Sequence, residues 1–209
     1  MVPTNFVGGC VGSAFRQLPR QVGEGVGGIS KQSVEPAQKI GNAVRALKQK
    51  WGTSRMKNHL WDQEYASGRW DHCEHSPGAR VYQYIEKYAK GGRILDLGCG
   101  SGNTANELNA SAYEHYTGID ISAVAVAKAA ERSGREGRAG KNDFATGDIA
   151  TWMPESKYDV ILFRESIYYI PISRIERVLD HYSGYLTDRG VIIVNVGGSA
   201  TRKARTGRT

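Results

Sequence analysis

Residues 94–104 read ILDLGCGSGNT, and this run limits the possible folds more than any other part of the chain. Ile94, Leu95 and Leu97, with Asp96 among them, have the pattern of a strand buried on both faces of a parallel sheet. The strand enters a turn carrying Gly98, Gly100 and Gly102, and a helix is expected to follow over roughly 103–109. Glycines there permit backbone angles closed to other residues and let a ligand approach the main chain. A strand, a glycine turn and a helix start at the carboxyl edge of a sheet make a nucleotide-type cofactor site.

Spacing and charge discriminate among cofactors. Dinucleotide sites use GxGxxG, so that a pyrophosphate rests on the helix N-terminus; this chain has GxGxG, followed by Asn103. Asp96 repels a phosphate but suits an ammonium or sulfonium group. A buried carboxylate is costly without a partner, which favours a role for it. A cationic, phosphate-free nucleoside therefore fits better than NAD. The next strand-like segment, HYTGIDIS (115–122), ends in Asp120, about 20 residues beyond the turn, where an acid accepts hydrogen bonds from ribose hydroxyls. DFATGDIATW (143–152) reads as a third strand and its loop, YDVILFRESIYYI (158–170) as a fourth, and residues 172–196 as a helix, a turn and a fifth strand.

DLGCGSG resembles motif I of the class I S-adenosylmethionine-dependent methyltransferases, and the ordered series of segments extends that resemblance over roughly residues 60–196. It implies an α/β fold, a Rossmann-like methyltransferase three-layer sandwich with five recognisable parallel strands in the order 3-2-1-4-5. In the family, two more strands form an antiparallel hairpin beside the fifth. Here GGSATRKARTGRT follows Val196 with little β-forming pattern. The final two strands are thus expected to be missing, leaving strand five as an edge open to a partner or to self-association.

The resemblance also implies a cofactor site for S-adenosyl-L-methionine. It would comprise Asp96, Gly98, Cys99, Gly100, Gly102 and Asn103 of the turn, Asp120 with Ile121, Asp148 with Ile149, and Arg164. The acid matching Asp148 bonds the adenine amine in the family, and a neighbouring backbone amide reads the ring. WDQEYASGRW resembles the N-terminal cap of many small-molecule methyltransferases, which makes Trp61, Tyr65 and Trp70 candidates for a lid over the methionine end. As plain structure, Asp120 can instead cap the following helix, a role Ser122 can also fill. Asp148 can equally be a loop acid, and the three aromatics ordinary packing.

Methyl transfer from a sulfonium is an in-line displacement that depends on positioning. A hydroxyl or amine acceptor also needs its proton taken. Glu165 and Tyr168, at the end of the fourth strand, are the catalytic candidates, with Tyr169 as a further wall of an acceptor pocket. RESIYY lacks the Asn/Asp-Pro-Pro-aromatic motif of DNA-adenine and glutamine amino-methyltransferases and the nucleophilic Cys of pyrimidine C5 enzymes. The ESIYYI string is similar to one in bacterial methyltransferases of amines and sugar-derived metabolites. A small-molecule acceptor methylated on O or N is the expected function. A cofactor-binding but inactive module and an RNA or protein methyltransferase are the rivals.

Charge is uneven along the chain. The net +7 is matched by residues 1–60 alone, with nine Lys or Arg against two Glu, while residues 61–201 net −4. The cofactor domain is therefore no basic nucleic-acid platform. Four parts are expected: a flexible glycine-rich segment 1–32, a helical cap region 33–90, a cofactor-binding domain 91–198 and a basic tail 199–209. In the cap region, Ile40, Val44, Leu47 and Trp51 recur at helical spacing. They are expected to pack on the domain with the basic side in water; a membrane-surface or partner helix is the alternative. No apolar run is long enough to span a membrane. Cys10, Cys73 and Cys99 suggest neither a disulfide framework nor a metal site, which points to a cytoplasmic setting.

Overall fold

The computed structural model describes residues 36–197, with side chains from residue 40 onward. The expected glycine-rich segment 1–32 and basic tail 199–209 lie outside the described residues. Two helices, α1 (Pro36–Trp51) and α2 (Ser54–Ala66), precede α3 (Arg80–Ala89). Then follow β1 (Arg93–Leu97), α4 (Asn103–Glu107), β2 (His115–Asp120), α5 (Ala123–Arg135), β3 (Asn142–Thr146), β4 (Tyr158–Arg164), α6 (Ile172–Ser183) and β5 (Leu186–Asn195). All strand pairs are parallel, in the order β3-β2-β1-β4-β5. This is the Rossmann-like arrangement expected from the sequence, with β1 central and β5 at an edge.

The two sides of β1 explain its unbroken apolar run. Ile94 joins Val81, Ile85 and Ala89 of α3, Leu108, Tyr116, Val160 and Leu162 in one core. Leu95 and Leu97 face the other, with Ile119, Ile161, Phe163, Val178 and Tyr182. Helices thus cover both faces, and strand residues alternate between two apolar layers. On α3 the buried stripe includes Tyr82, while Tyr84 is only half-buried.

Polar contacts fix the short α4. Asn106, Ser133 and Asn142 form a buried chain of hydrogen bonds, with Tyr113 donating to Asn142 at 2.8 Å. Arg138 donates from one nitrogen to the carbonyls of Ala105 (2.9 Å) and Leu108 (2.8 Å), the orphan acceptors at the end of α4. Arg138→Met strips the Leu108 carbonyl of its side-chain donor and leaves Ala105 with the longer bonds from Tyr113 and Asn142. It should lower stability by about 1–3 kcal/mol, seen as a reduced denaturation midpoint; an unchanged midpoint would show that water replaces the guanidinium.

The expectation for α1 requires correction. Its apolar stripe does not pack on the domain: Ile40, Val44, Leu47 and Trp51 are all exposed. The helix is held by its polar side instead, where Arg45 pairs with the buried Glu64 of α2 through two guanidinium nitrogens, Nε and Nη2, and Gln49 is buried. A fork-shaped, charge-assisted pair with a carboxylate that is otherwise costly to bury fixes the rotation of the helix.

Candidate cofactor and acceptor site

The carboxyl ends of β1, β2 and β4 open into a cavity of about 650 Å³, a size that suits a small-molecule ligand. The glycine turn forms one wall. Gly98 has φ 88° and Gly100 φ 54°, the left-handed region. A Cβ on Gly98 would lie 2.5 Å from Cβ of Ser166, and one on Gly100 would lie 2.7 Å from the Tyr65 hydroxyl. Gly98 needs glycine for both its angle and its close neighbour, and Gly100 chiefly for its angle, since the atom near it is the tip of a side chain. Gly102 lies off the cavity, where its backbone packs on Ala129 of α5.

The acids of the three strand ends have different partners. Asp120 is buried, and its carboxylate accepts from the backbone N–H of Gly100 and of Ser122, both at 2.9 Å. Burial raises its pKa and those backbone bonds lower it. Asp120 therefore braces the glycine turn, while Ser122 caps α5 by accepting from Ala125 at 3.1 Å. Asp148 accepts from Ala150 N–H (2.9 Å) and from the Ser54 hydroxyl (2.6 Å). Asn103 is engaged at both ends, donating to the Cys73 carbonyl and accepting from Arg132 at 2.6 Å. Asp120, Asp148 and Asn103 also face the cavity, as do Ile121 and Ile149.

Asp96 is the exception. It is 1 % exposed, and one carboxylate oxygen accepts from the Tyr116 hydroxyl at 2.5 Å. The other, Oδ1, makes no hydrogen bond of ordinary geometry among the described residues, and the Thr104 hydroxyl is a weaker polar neighbour of the carboxylate. Burial raises its pKa to about 6, against the lowering effects of Tyr116, Arg164 and Thr104. A buried polar atom left without a partner calls for an explanation, and an ammonium group in the cavity would supply one. Arg164 has the complementary character. It donates to Tyr82 (2.8 Å), Ser76 (2.7 Å) and Thr104 (3.3 Å), all neutral hydroxyls. Its charge remains available to a carboxylate. Asp96 and Arg164 together match the two charges of an amino-acid moiety.

Aromatic side chains close the other side. Trp61 meets Tyr169 edge to face at 4.8 Å and lies 5.7 Å from Trp70 and 6.3 Å from Tyr65 between ring centres. Trp70 donates to Glu64 at 2.9 Å, so the ion pair that holds α1 also fixes a cavity wall. Cys99 lies within the turn; burial first, then Asp120 and Asp96, push its thiol pKa up and keep it neutral.

Glu165 has φ 56°, unusual for a residue with a side chain. One of its oxygens accepts from Gly197 N–H and the other from the Tyr168 hydroxyl at 3.2 Å. Burial raises the Glu165 pKa. Burial, Tyr169 and Glu165 raise that of Tyr168, so its phenol remains a donor at neutral pH. Of the residues named from the sequence, only Gly102 is absent from the lining. Sequence reasoning overlooked Ser76, Gln49 and Lys57, polar residues in stretches without a motif, and Thr104 and Ser166, which lie inside quoted runs but carry no distinctive chemistry there.

A family model described as a methyltransferase domain matches residues 69–208. The chain is 36 % identical over 109 residues to a trans-aconitate 2-methyltransferase of Streptomyces avermitilis, an alignment covering 51 % of this chain and 39 % of that protein. It is 28 % identical over 120 residues to the sterol 24-C-methyltransferase erg-4 of Neurospora crassa, covering 52 % and 32 %. The alignments span well under half of these relatives' lengths. Among solved structures, the [4+2]-cyclase SpnF superposes with a TM-score of 0.53 at 24 % identity, covering 68 % of this chain and 59 % of that one, a likeness of fold alone.

Proposed function

Because the chain belongs to the class I S-adenosylmethionine-dependent methyltransferases, we propose that it transfers a methyl group from that cofactor to an oxygen or nitrogen of a small-molecule acceptor. The observation that carries the cofactor placement is the Asp96 carboxylate, buried in the cavity wall with hydroxyls around it and no cationic side chain among the described residues hydrogen-bonded to it. Bound S-adenosylmethionine supplies a sulfonium methyl carbon that is already electrophilic. Asp96 binds the ammonium of its amino-acid end and Arg164 the carboxylate. Asp120 and Asp148 keep acceptor lone pairs for ribose and adenine beyond the bonds they already make. Four carboxylates in one cavity, Asp96, Asp120, Asp148 and Glu165, oppose a pyrophosphate, which disfavours NAD.

Trp61, Tyr65, Trp70 and Tyr169 exclude water from the reacting end, where charge disperses as the methyl moves. Tyr168 and Glu165 handle the acceptor. The Glu165 oxygen paired with Tyr168 is the candidate proton acceptor, because the other holds Gly197. The aromatic wall and a single half-buried carboxylate favour a small acceptor with an O–H or N–H. The relatives' names, a trans-aconitate 2-methyltransferase and a sterol 24-C-methyltransferase, differ in acceptor, so the reading of O or N rests on the half-buried carboxylate.

Calorimetric titration with S-adenosylhomocysteine and with NAD tests the cofactor assignment. The first should bind and the second should not. Arg164→Met should weaken S-adenosylhomocysteine roughly 10–100-fold, the value of one charged hydrogen-bonded contact. Preference for NAD, or full affinity in Arg164→Met, would overturn the placement.

A further inference from the structure

We propose that α1 is a membrane-surface helix that docks this protein on an anionic lipid bilayer. The helix presents Ile40, Val44, Leu47 and Trp51 at 65 %, 44 %, 60 % and 60 % exposure. At 3.6 residues per turn these four fall within a sector of roughly 60°, a narrow apolar stripe. Single exposed apolar residues need no explanation, but a contiguous stripe on one helix does. Arg45 and Gln49 occupy the opposite side and anchor the helix to the body. The stripe therefore faces away from the protein.

Charge identifies the occupant. Residues 36–60 contain Lys39, Arg45, Lys48, Lys50, Arg55 and Lys57 and no Asp or Glu, whereas residues 61–201 net −4. Lys48 and Lys50 flank the apolar stripe on either side, where long side chains can bury their stems beside it and keep their charges at the headgroups. Trp51 ends the stripe with an amphipathic ring suited to the interface. A basic polar side, an apolar stripe with Leu and Trp, and low overall hydrophobicity define a helix lying in the plane of a bilayer surface. A nucleic acid would use the charge but leave the stripe in water. A neutral bilayer would use the stripe but not the charge. The helix is too short and polar to cross a membrane, and among the described residues no helix can do so.

Docking on α1 also bears on the cavity. Arg45 holds Glu64, and Glu64 accepts from Trp70 of the aromatic wall, while Gln49 of α1 and Lys57 of α2 line the same cavity. The outer stripe and the cavity wall thus belong to one connected unit, and the acceptor would be met at the lipid surface.

The experiment is co-sedimentation of the full chain with extruded vesicles of phosphatidylcholine alone or with added phosphatidylglycerol, at low and high salt. Binding is expected only with phosphatidylglycerol and should weaken with salt. Lys48→Gln with Lys50→Gln should weaken it about fivefold per lysine. Leu47→Glu with Trp51→Glu should abolish it while far-UV circular dichroism and S-adenosylhomocysteine affinity stay unchanged, since neither residue touches the cavity. Equal binding by the Leu47→Glu, Trp51→Glu variant would assign the attraction to basic charge elsewhere and overturn the proposal. No vesicle binding by the folded chain, or a stable dimer that the same variant dissolves, would also overturn it.

Discussion

Asp96→Asn is expected to stabilise the protein at neutral pH while removing most of its cofactor affinity. Asp96 is almost fully buried, and burial lifts its pKa from 3.8 to about 6. A carboxyl whose folded pKa exceeds its unfolded value binds more protons when folded. Stability therefore falls as pH rises from about 4 to about 6, and the whole cost is present at pH 7.5. The gap corresponds to on the order of 3 kcal/mol. Asn keeps an acceptor for the Tyr116 hydroxyl and removes the charge, but its amide still lacks a partner. A net gain of about 1–2 kcal/mol at pH 7.5 is expected, shrinking towards pH 5, where Asp96 already carries its proton. Thermal unfolding at both pH values measures this.

Affinity should move the opposite way. An ammonium requires the ionised carboxylate, so wild-type affinity for S-adenosylhomocysteine should decline below pH 6, by up to about tenfold per pH unit. Asp96→Asn should bind roughly 10–100-fold more weakly at pH 7.5 and lack that decline. A residue retained only for packing would predict coupled losses of stability and binding. Opposite signs are the signature of a charge held unpaired for a ligand. A variant that is less stable at pH 7.5, or that binds as well as the wild type, would refute the assignment.

The sequence specified the elements that carry their own local signal. β1, the glycine turn and Asp120 were readable because a two-sided strand, positive-φ turns and an acid at a fixed offset each leave a pattern within a few residues. The parallel order followed from the family resemblance, and the sheet has it. Partners were not readable in the same way. Asn103 lines the cavity as its place after the glycine turn implies, but nothing local shows that its amide also bridges Cys73 and Arg132. Arg164 meets Ser76 and Tyr82 across more than 80 residues of chain, a juxtaposition produced only by the fold. For α1, periodicity revealed a stripe but not its direction. The pair between Arg45 and Glu64 set that direction, because periodicity counts apolar residues and is blind to one buried carboxylate that needs a cation.

Gly98→Ala should be severely damaging, because a positive φ and a close neighbour coincide there. Alanine at φ 88° lies outside the regions open to residues with a Cβ, which costs about 1–2 kcal/mol. Its Cβ would also sit 2.5 Å from Cβ of Ser166. Ser166 cannot yield freely, since it is buried and its hydroxyl donates to the Leu97 carbonyl at 2.5 Å, tying the end of β4 to the end of β1. The combined loss should be about 3–4 kcal/mol, with cofactor binding lost because the turn is displaced. Strain and clash can be separated. Ser166→Gly alone should destabilise by about 1 kcal/mol through the lost hydrogen bond. Combined with Gly98→Ala, it should cost less than the two changes added together, since it removes the atom struck while leaving the backbone strain. Chemical denaturation of the four proteins yields the coupling. Strict additivity would mean that the Gly98 requirement is one of backbone angle alone, and a Gly98→Ala protein of wild-type stability would mean that the turn has room this packing denies it.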